Sequence, residues 1–224
     1  MSELTLIIPA KDESESLPTV LKEIEKQDVK VKVKVLLHRD DISTIDAIEK
    51  FNCEIVYQVN SGYGDALIHG INLTDTRYFC IFNADGSFDP SELKDMLSKI
   101  NESNYDFIFA SRYQKNSGSE DDTIITSIGN FFFTKVGNIF FNLPITDILY
   151  TFVLGKTNSA KKLNLVQKDF CFCVELPIKA KRHYMTMFSS SSYERKRLAG
   201  VKKVNAFKDG FLILKYMFFL FFKK

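Results

Sequence analysis

The chain has no tryptophan, only three histidines and four cysteines among 224 residues, and no excess of charge of either sign. Lys plus Arg is 30 and Asp plus Glu is 28, a formal net charge of +2. A general nucleic-acid binder needs a strong basic surplus, so that class is excluded. The cysteines form no framework: Cys53 and Cys80 sit in apolar runs, Cys171 and Cys173 are one residue apart, and no partner pair has zinc-ligand spacing. They read as free thiols in a reducing cytoplasm. His38, His69 and His183 are scattered and read as structural. Residues 1–10 lack the basic region and the long apolar stretch of a signal peptide. With no repeat and no long linker, the chain reads as one folded unit.

What is present is ordinary in bulk, 45% hydrophobic and 26% charged, which excludes disorder. The 21 phenylalanines are the exception, concentrated in the second half. Residues 124–143 follow a helical pattern with Phe131, Phe132, Phe133, Phe140 and Phe141. Such a helix is apolar around too much of its circumference for an ordinary surface helix, and is either core or membrane-facing. Residues 207–222 form a second Phe-rich run, broken by Lys215 and followed by Lys223 and Lys224. It is shorter than the ~20 residues of a spanning helix. Lying in the interface, it would sink its rings among acyl chains while its lysines reach anionic head groups.

The first half alternates β-type runs with helical patterns. Strands are expected at 4–9, 31–38, 54–59, 78–83 and 107–110, rich in β-branched and aromatic residues. Helices are expected at 15–27, 44–51, 65–73 and 90–101, the last with Asp89 as N-cap and Pro90 at its first position. This alternation implies a largely parallel sheet with helices on both faces, and ligands beyond the carboxyl ends of the strands. Polar groups gather at those ends: Pro9-Ala10-Lys11-Asp12-Glu13, His38-Arg39-Asp40-Asp41, Gly62-Tyr63-Gly64, Asn83-Ala84-Asp85-Gly86-Ser87 and Ser111-Arg112-Tyr113. Singly, each is a common turn. Together they are not.

With these motifs the chain resembles the inverting glycosyltransferases of family 2, of GT-A fold, and most of all the polyprenyl-phosphate hexose synthases such as the dolichol-phosphate mannose synthases. The resemblance runs from residue 4 to about residue 210. It implies that Pro9, Ala10 and Glu13 belong to the family's Pro-x-x-Asn-Glu motif, with Asp12 for Asn, and that Asp40 recognises the nucleotide base. Gly62, Gly64 and Ala66 match a Gly-Lys-Gly-x-Ala segment in which Tyr63 replaces Lys. Asn83, Ala84 and Asp85 fall on the Asp-x-Asp metal motif, with Ser87 as a further polar ligand. A departing diphosphate is multiply charged, and Mg²⁺ or Mn²⁺ bridging it to a carboxylate stabilises that charge. Arg112 would face phosphate, and Asp147 stands where relatives open an Asp-x-x-x-Gly-Phe-Arg segment whose Gly and Arg are absent here. Arg197, Lys202 and Lys203 match an Arg-x-x-Gly-x-Ser-Lys segment, with Lys202 for Ser, and would hold the acceptor phosphate.

The resemblance therefore implies a GT-A catalytic domain over residues 1–205 and an amphipathic membrane-interface helix over 206–224. The expected activity is metal-dependent transfer of a hexose from a nucleotide-diphosphate sugar to a polyprenyl phosphate, with inversion, by a peripheral protein on the cytoplasmic face of a membrane. Asp85, Arg112, Asp147 and Arg197 would be its catalytic residues. A phosphate acceptor has a second pKa of ~6 and is largely anionic at pH 7, so no general base is needed. A family 2 enzyme acting on a saccharide hydroxyl would need one, with Asp147 or Glu175 as candidates. A third reading is a non-catalytic nucleotide-binding protein, with Asn83 as the lesion.

Overall fold

The computed structural model describes residues 3–200 and 203–223. In chain order the elements are β1 Leu4–Pro9, α1 Leu17–Glu25, β2 Val31–Leu37, α2 Ile42–Ile48, β3 Glu54–Tyr57, α3 Tyr63–Asn72, β4 Tyr78–Ile81, α4 Glu92–Ser103 and β5 Phe107–Ser111. There follow β6 Gly118–Ser119, α5 Ile124–Phe141, β7 Val153–Lys156, α6 Thr157–Lys162, α7 Phe172–Arg182, β8 Met187–Ser191, β9 Tyr193–Glu194 and α8 Ala206–Phe222.

Seven strands form one sheet in the order β3-β2-β1-β4-β7-β5-β8, and β6 pairs with β9 beside it. All neighbours in the large sheet are parallel except those of β7, which runs antiparallel between β4 and β5. The strands are near-continuous apolar runs because both faces are covered. On one face Leu4, Leu6 and Ile8 of β1 meet Leu17, Val20 and Leu21 of α1 and Leu93 and Met96 of α4. On the other, Ile7 joins Leu67 and Ile71 of α3 in one buried cluster that extends to residues of α5, α7 and α8. The chain leaves β1 for β2 and β3 on one side and returns to β4 on the other. That reversal opens a crevice at the carboxyl ends of β1 and β4.

β7 was not expected. Its register sets Gly155 opposite Phe107, and a Cβ there would collide with the Phe107 and Phe79 rings. The start of α4 also differs: Ser91 takes the cap position without a side-chain bond, while Asp89 Oδ1 accepts from Ser91 N at 2.9 Å. Both Phe-rich segments are helices with one face in the core. α5 buries Asn130, Phe133, Thr134 and Gly137, and α8 buries Ile213, Met217 and Leu220. The two helices lie side by side: Gly210 faces Phe133, and Phe221 meets Phe140 and Phe141 edge-on.

Candidate active site

The crevice is built from four loops. After β1, Asp12 adopts a left-handed backbone (φ 53°) that turns the chain toward Glu13. Asp41, the N-cap of α2, holds that turn by accepting from Asp12 N at 2.9 Å, and Thr44 Oγ1 accepts from Glu13 N at 3.0 Å. Burial pushes the Asp41 carboxyl up, but the bonds from Asp12, Thr44 and Ser43 outweigh it and leave it below the usual range. Asp40, expected to read the base, stands exposed on the turn after β2. Pro9, Ala10 and Ala84 contribute backbone and a close-packed floor, with Ala10 N donating to Leu36 O at 2.8 Å.

After β4, Asp85 Oδ1 accepts from both Ser87 N (3.0 Å) and Ser87 Oγ (2.7 Å), and Asn83 Nδ2 donates to Ser87 Oγ at 3.3 Å. Asn83, Asp85 and Ser87 thus form one cluster. The segment 195–198 lies along it: Arg195 N donates to Ser87 O and Leu198 N to Asp85 O, each at 2.8 Å. Gly86 has φ +83° and touches Leu198, so a side chain there would be strained and crowded. Arg197 Nη2 lies 3.4 Å from Asp85 Oδ2 and 3.0 Å from Asp121 Oδ2. Lys203 Nζ lies 3.7 Å from Glu13 Oε1. Burial lifts the Glu13 carboxyl above its ordinary range, with Ser16 and Lys203 pulling the other way. Lys202 lies outside the described residues.

Other expected site residues are committed elsewhere. Arg112 is almost fully buried: it makes two parallel bonds to Asp147 (2.8 and 3.0 Å), bonds Glu194 Oε2 at 3.0 Å and lies 3.4 Å from Asp122. Asp147 is wholly buried and also accepts from Asn130 Nδ2 at 2.6 Å. Arg112, expected to face phosphate, and Asp147, expected to be catalytic, are paired with each other here, and the guanidinium fork is filled by carboxylates that burial makes costly to expose or unpair. Glu175, the other candidate base, is buried and accepts from Val166 N, Gln167 N and Tyr216 OH. Gly62 and Gly64 are small for a different reason than ligand approach. A Cβ on either would strike the backbone carbonyls of Lys168 or Gln167, which cover the start of α3. Tyr63, at the position of the usual Lys, hydrogen-bonds Thr151 at 2.7 Å and stacks on Phe170.

Asp121, Asp122 and Glu194 were missed by sequence reasoning. The only signal was an acidic pair in a polar loop, matched against the basic run at 195–197. Asp122 accepts from Tyr113 OH (2.7 Å) and Thr126 Oγ1 (2.8 Å), which fastens the start of α5 to the end of β5.

The sequence profile of glycosyl transferase family 2 matches residues 5–163, more than half of the chain. The chain belongs to that family. Uncharacterized glycosyltransferases of Mycobacterium bovis and Mycobacterium tuberculosis are 29% identical over 97 residues, 43% of this chain and 43% of each relative. Among solved structures, glucosyl-3-phosphoglycerate synthase from Mycobacterium tuberculosis with uridine diphosphate superposes with a TM-score of 0.73 at 11% identity, covering 96% of this chain and 79% of that one. Mannosyl-3-phosphoglycerate synthase from Rubrobacter xylanophilus gives 0.74 at 12%, covering 97% and 72%. These likenesses establish a GT-A fold, and the mycobacterial synthase has been crystallised with uridine diphosphate and Mn²⁺ or Mg²⁺.

The cluster after β4 fits such a cation. Asp85, Asn83 and Ser87 present carboxylate, amide and hydroxyl oxygens, the hard donors that Mg²⁺ and Mn²⁺ take. Among the described residues no group of three or more His, Cys, Asp or Glu is placed to hold a metal. A cation held there would rest on the one carboxylate of Asp85 and take further oxygen ligands from outside the protein, as Mg²⁺ commonly does.

Proposed function

We propose that this family 2 protein transfers a hexose from a nucleotide-diphosphate sugar to a polyprenyl phosphate, with inversion, at the cytoplasmic face of a membrane, in the manner of the dolichol-phosphate mannose synthases. One observation carries the reading: the cations Arg197 and Lys203 face Asp85 and Glu13 in the crevice, and the aromatic α5 and α8 begin just beyond them. α8 starts three residues after Lys203, and α5 starts two residues after Asp122. An anionic head and a long apolar tail would each find matching chemistry there.

In this mechanism Asp85, with Asn83 and Ser87, would hold the divalent cation, which would supply positive charge against the departing diphosphate. Asp40, exposed on the turn after β2, would read the base. Arg197 and Lys203 bring the acceptor phosphate beside the donor and screen the repulsion between two anions. The acceptor oxygen is already ionised, so no side chain need take a proton. That suits a site whose candidate bases, Asp147 and Glu175, are buried and fully engaged. A saccharide-hydroxyl acceptor is disfavoured on the same ground.

Membrane association is supported by what α5 and α8 leave outside the core. Ile125, Ile128, Phe131 and Phe140 of α5 and Phe207, Phe211, Phe218 and Phe222 of α8 are all more than half exposed. The charged residues on these two helices are Lys135, Lys208, Asp209 and Lys215, a cationic balance suited to anionic lipid. α5 is long and apolar enough, by length and composition, to cross a bilayer, but its buried face packs it against α7 and α8, which favours lying on the surface. Four free thiols suit a reducing compartment. The test is kinetic: Arg197→Ala should raise KM for farnesyl phosphate or a longer polyprenyl phosphate far more than KM for the sugar nucleotide. Equal effects on both would contradict the assignment.

A further inference from the structure

The carboxyl ends of α5, α7 and α8 converge. Phe221 of α8 meets Phe140 and Phe141 of α5, and Arg182 of α7 donates through Nη2 to Leu220 O. Between them lies a cleft of about 310 Å³ whose walls include Phe140, Phe141, Ile178, Lys181, Arg182 and Phe221. That volume is at the small end for ligand cavities, with room for a head group and the first part of a chain. The cleft is remote from the crevice: Phe221 lies roughly 22 Å along α8 from Ala206. Its walls are divided in chemistry. Phe140 and Phe221 are 56% and 46% exposed, and among the described residues no Asp or Glu lines the cleft. Arg182 commits one of its five N–H donors to Leu220 O, the role of a cation at a helix end. Lys181 Nζ has no hydrogen-bond or ion-pair partner among the described residues. Lys179, two residues earlier, is by contrast taken up by Glu175 at 2.8 Å and Asn164 O at 2.7 Å.

We infer that this cleft is a site for the head group of an anionic phospholipid, with Lys181 and Arg182 on its phosphate and the Phe140 and Phe221 rings along its first acyl carbons. The inference rests on the reading of α5 and α8 as membrane-facing and adds to it a lipid class and an orientation. A guanidinium beside an ammonium suits a phosphate, and a bilayer supplies that phosphate with its apolar chain attached. A small free anion would leave the rings without a partner, and a neutral apolar ligand would leave Lys181 without one. Cations then stand at both ends of α8, Lys203 before its start and Lys181 with Arg182 beside its finish. With both ends at head-group level the helix lies along the membrane plane, and Phe211 and Phe218, seven residues apart on one face, point between them into the acyl chains.

The test uses the full chain and vesicles of phosphatidylcholine with or without phosphatidylserine, read by co-sedimentation. Lys181→Gln removes no ion pair or hydrogen bond of the Lys181 ammonium, so its thermal melt should match wild type. Its affinity for the phosphatidylserine vesicles should fall about fivefold, the worth of one cation at an anionic surface. Lys181→Arg should retain wild-type affinity. Lys50→Gln, the same charge removed from the turn after α2, should change nothing. Unchanged binding in Lys181→Gln, or an equal loss in Lys50→Gln, overturns the inference. Calorimetry with dispersed dihexanoyl phosphatidylserine and with inorganic phosphate separates the lipid from a free anion. The lipid should bind and should weaken in Lys181→Gln, and inorganic phosphate binding as tightly would overturn the lipid assignment. Wild-type protein that ignores phosphatidylserine vesicles overturns the membrane reading and the cleft with it. Vesicle binding that survives Lys181→Gln overturns the cleft alone, so the two fail separately.

Discussion

Arg112 and Asp147 meet in two parallel hydrogen bonds, Nε to Oδ2 at 2.8 Å and Nη2 to Oδ1 at 3.0 Å, with the carboxylate wholly out of solvent. This pair joins β5 to the segment after α5, and Glu194 brings β9 to the same guanidinium. Arg112→Ala would leave three carboxylates around an empty position. A loss of about 3–5 kcal/mol in urea unfolding is expected, as for other broken buried pairs. Asp147→Asn, which keeps shape and some hydrogen bonding, should cost less. A near-neutral Arg112→Ala would argue that the fork is available to ligands after all.

Asp41 links α2 to the turn carrying Glu13, so Asp41→Ala should remove about 1 kcal/mol at pH 7, the usual worth of an N-cap. The pH dependence follows from its lowered pKa. In the unfolded chain the carboxyl titrates near its ordinary 3.8, and in the folded chain lower. Its stabilisation is therefore full above that value and is lost as pH falls through the folded pKa. The difference between wild type and Asp41→Ala should shrink at the acid end in pH-resolved unfolding. A constant difference would contradict the assignment.

Asp85 makes its hydrogen bonds within its own turn, so Asp85→Ala should leave the thermal melt within a few degrees of wild type. Removing the single carboxylate of the cation cluster should weaken binding of uridine- or guanosine-diphosphate sugars in Mn²⁺ by about tenfold or more, the scale of a bond to a charged group. The loss should vanish when Mn²⁺ is replaced by a chelator. Calorimetry with and without metal measures both.

The membrane reading is best tested without truncation. Deleting the end of α8 would also remove Met217 and Leu220 from the core, at about 1.5–3 kcal/mol each. Phe211→Ser with Phe218→Ser changes only exposed rings, 70% and 65% accessible. Co-sedimentation with phosphatidylserine-containing vesicles should fall severalfold while the melting temperature holds. Undiminished co-sedimentation would rule out α8 as the contact.

The first five strands and their helices were legible because two periodicities alternate cleanly there, and the crevice followed from polar residues at strand ends. Asn83, Asp85 and Ser87 were found together because they are local in sequence. What stayed hidden was long-range. β7 is short and contains Gly155, and its place between β4 and β5 depends on two phenylalanine rings from other strands. The Ser111-Arg112-Tyr113 motif gave no sign that Arg112 is turned inward, since Asp122, Asp147 and Glu194 reach it from three separate segments. Asp40 and Asp41 are adjacent, and only the structure shows that Asp41 is the one bonded across to the loop after β1.

The central claim is transfer to a lipid-linked phosphate, and nucleotide release tests it most directly. Purified protein with Mg²⁺ or Mn²⁺ and a panel of sugar nucleotides should release nucleoside diphosphate only when a polyprenyl phosphate is added, with the sugar recovered on the lipid. Release with a saccharide or with 3-phosphoglycerate and not with lipid would contradict the acceptor assigned here. Donor binding with no release under any acceptor would make Asn83 a lesion and the protein a binder.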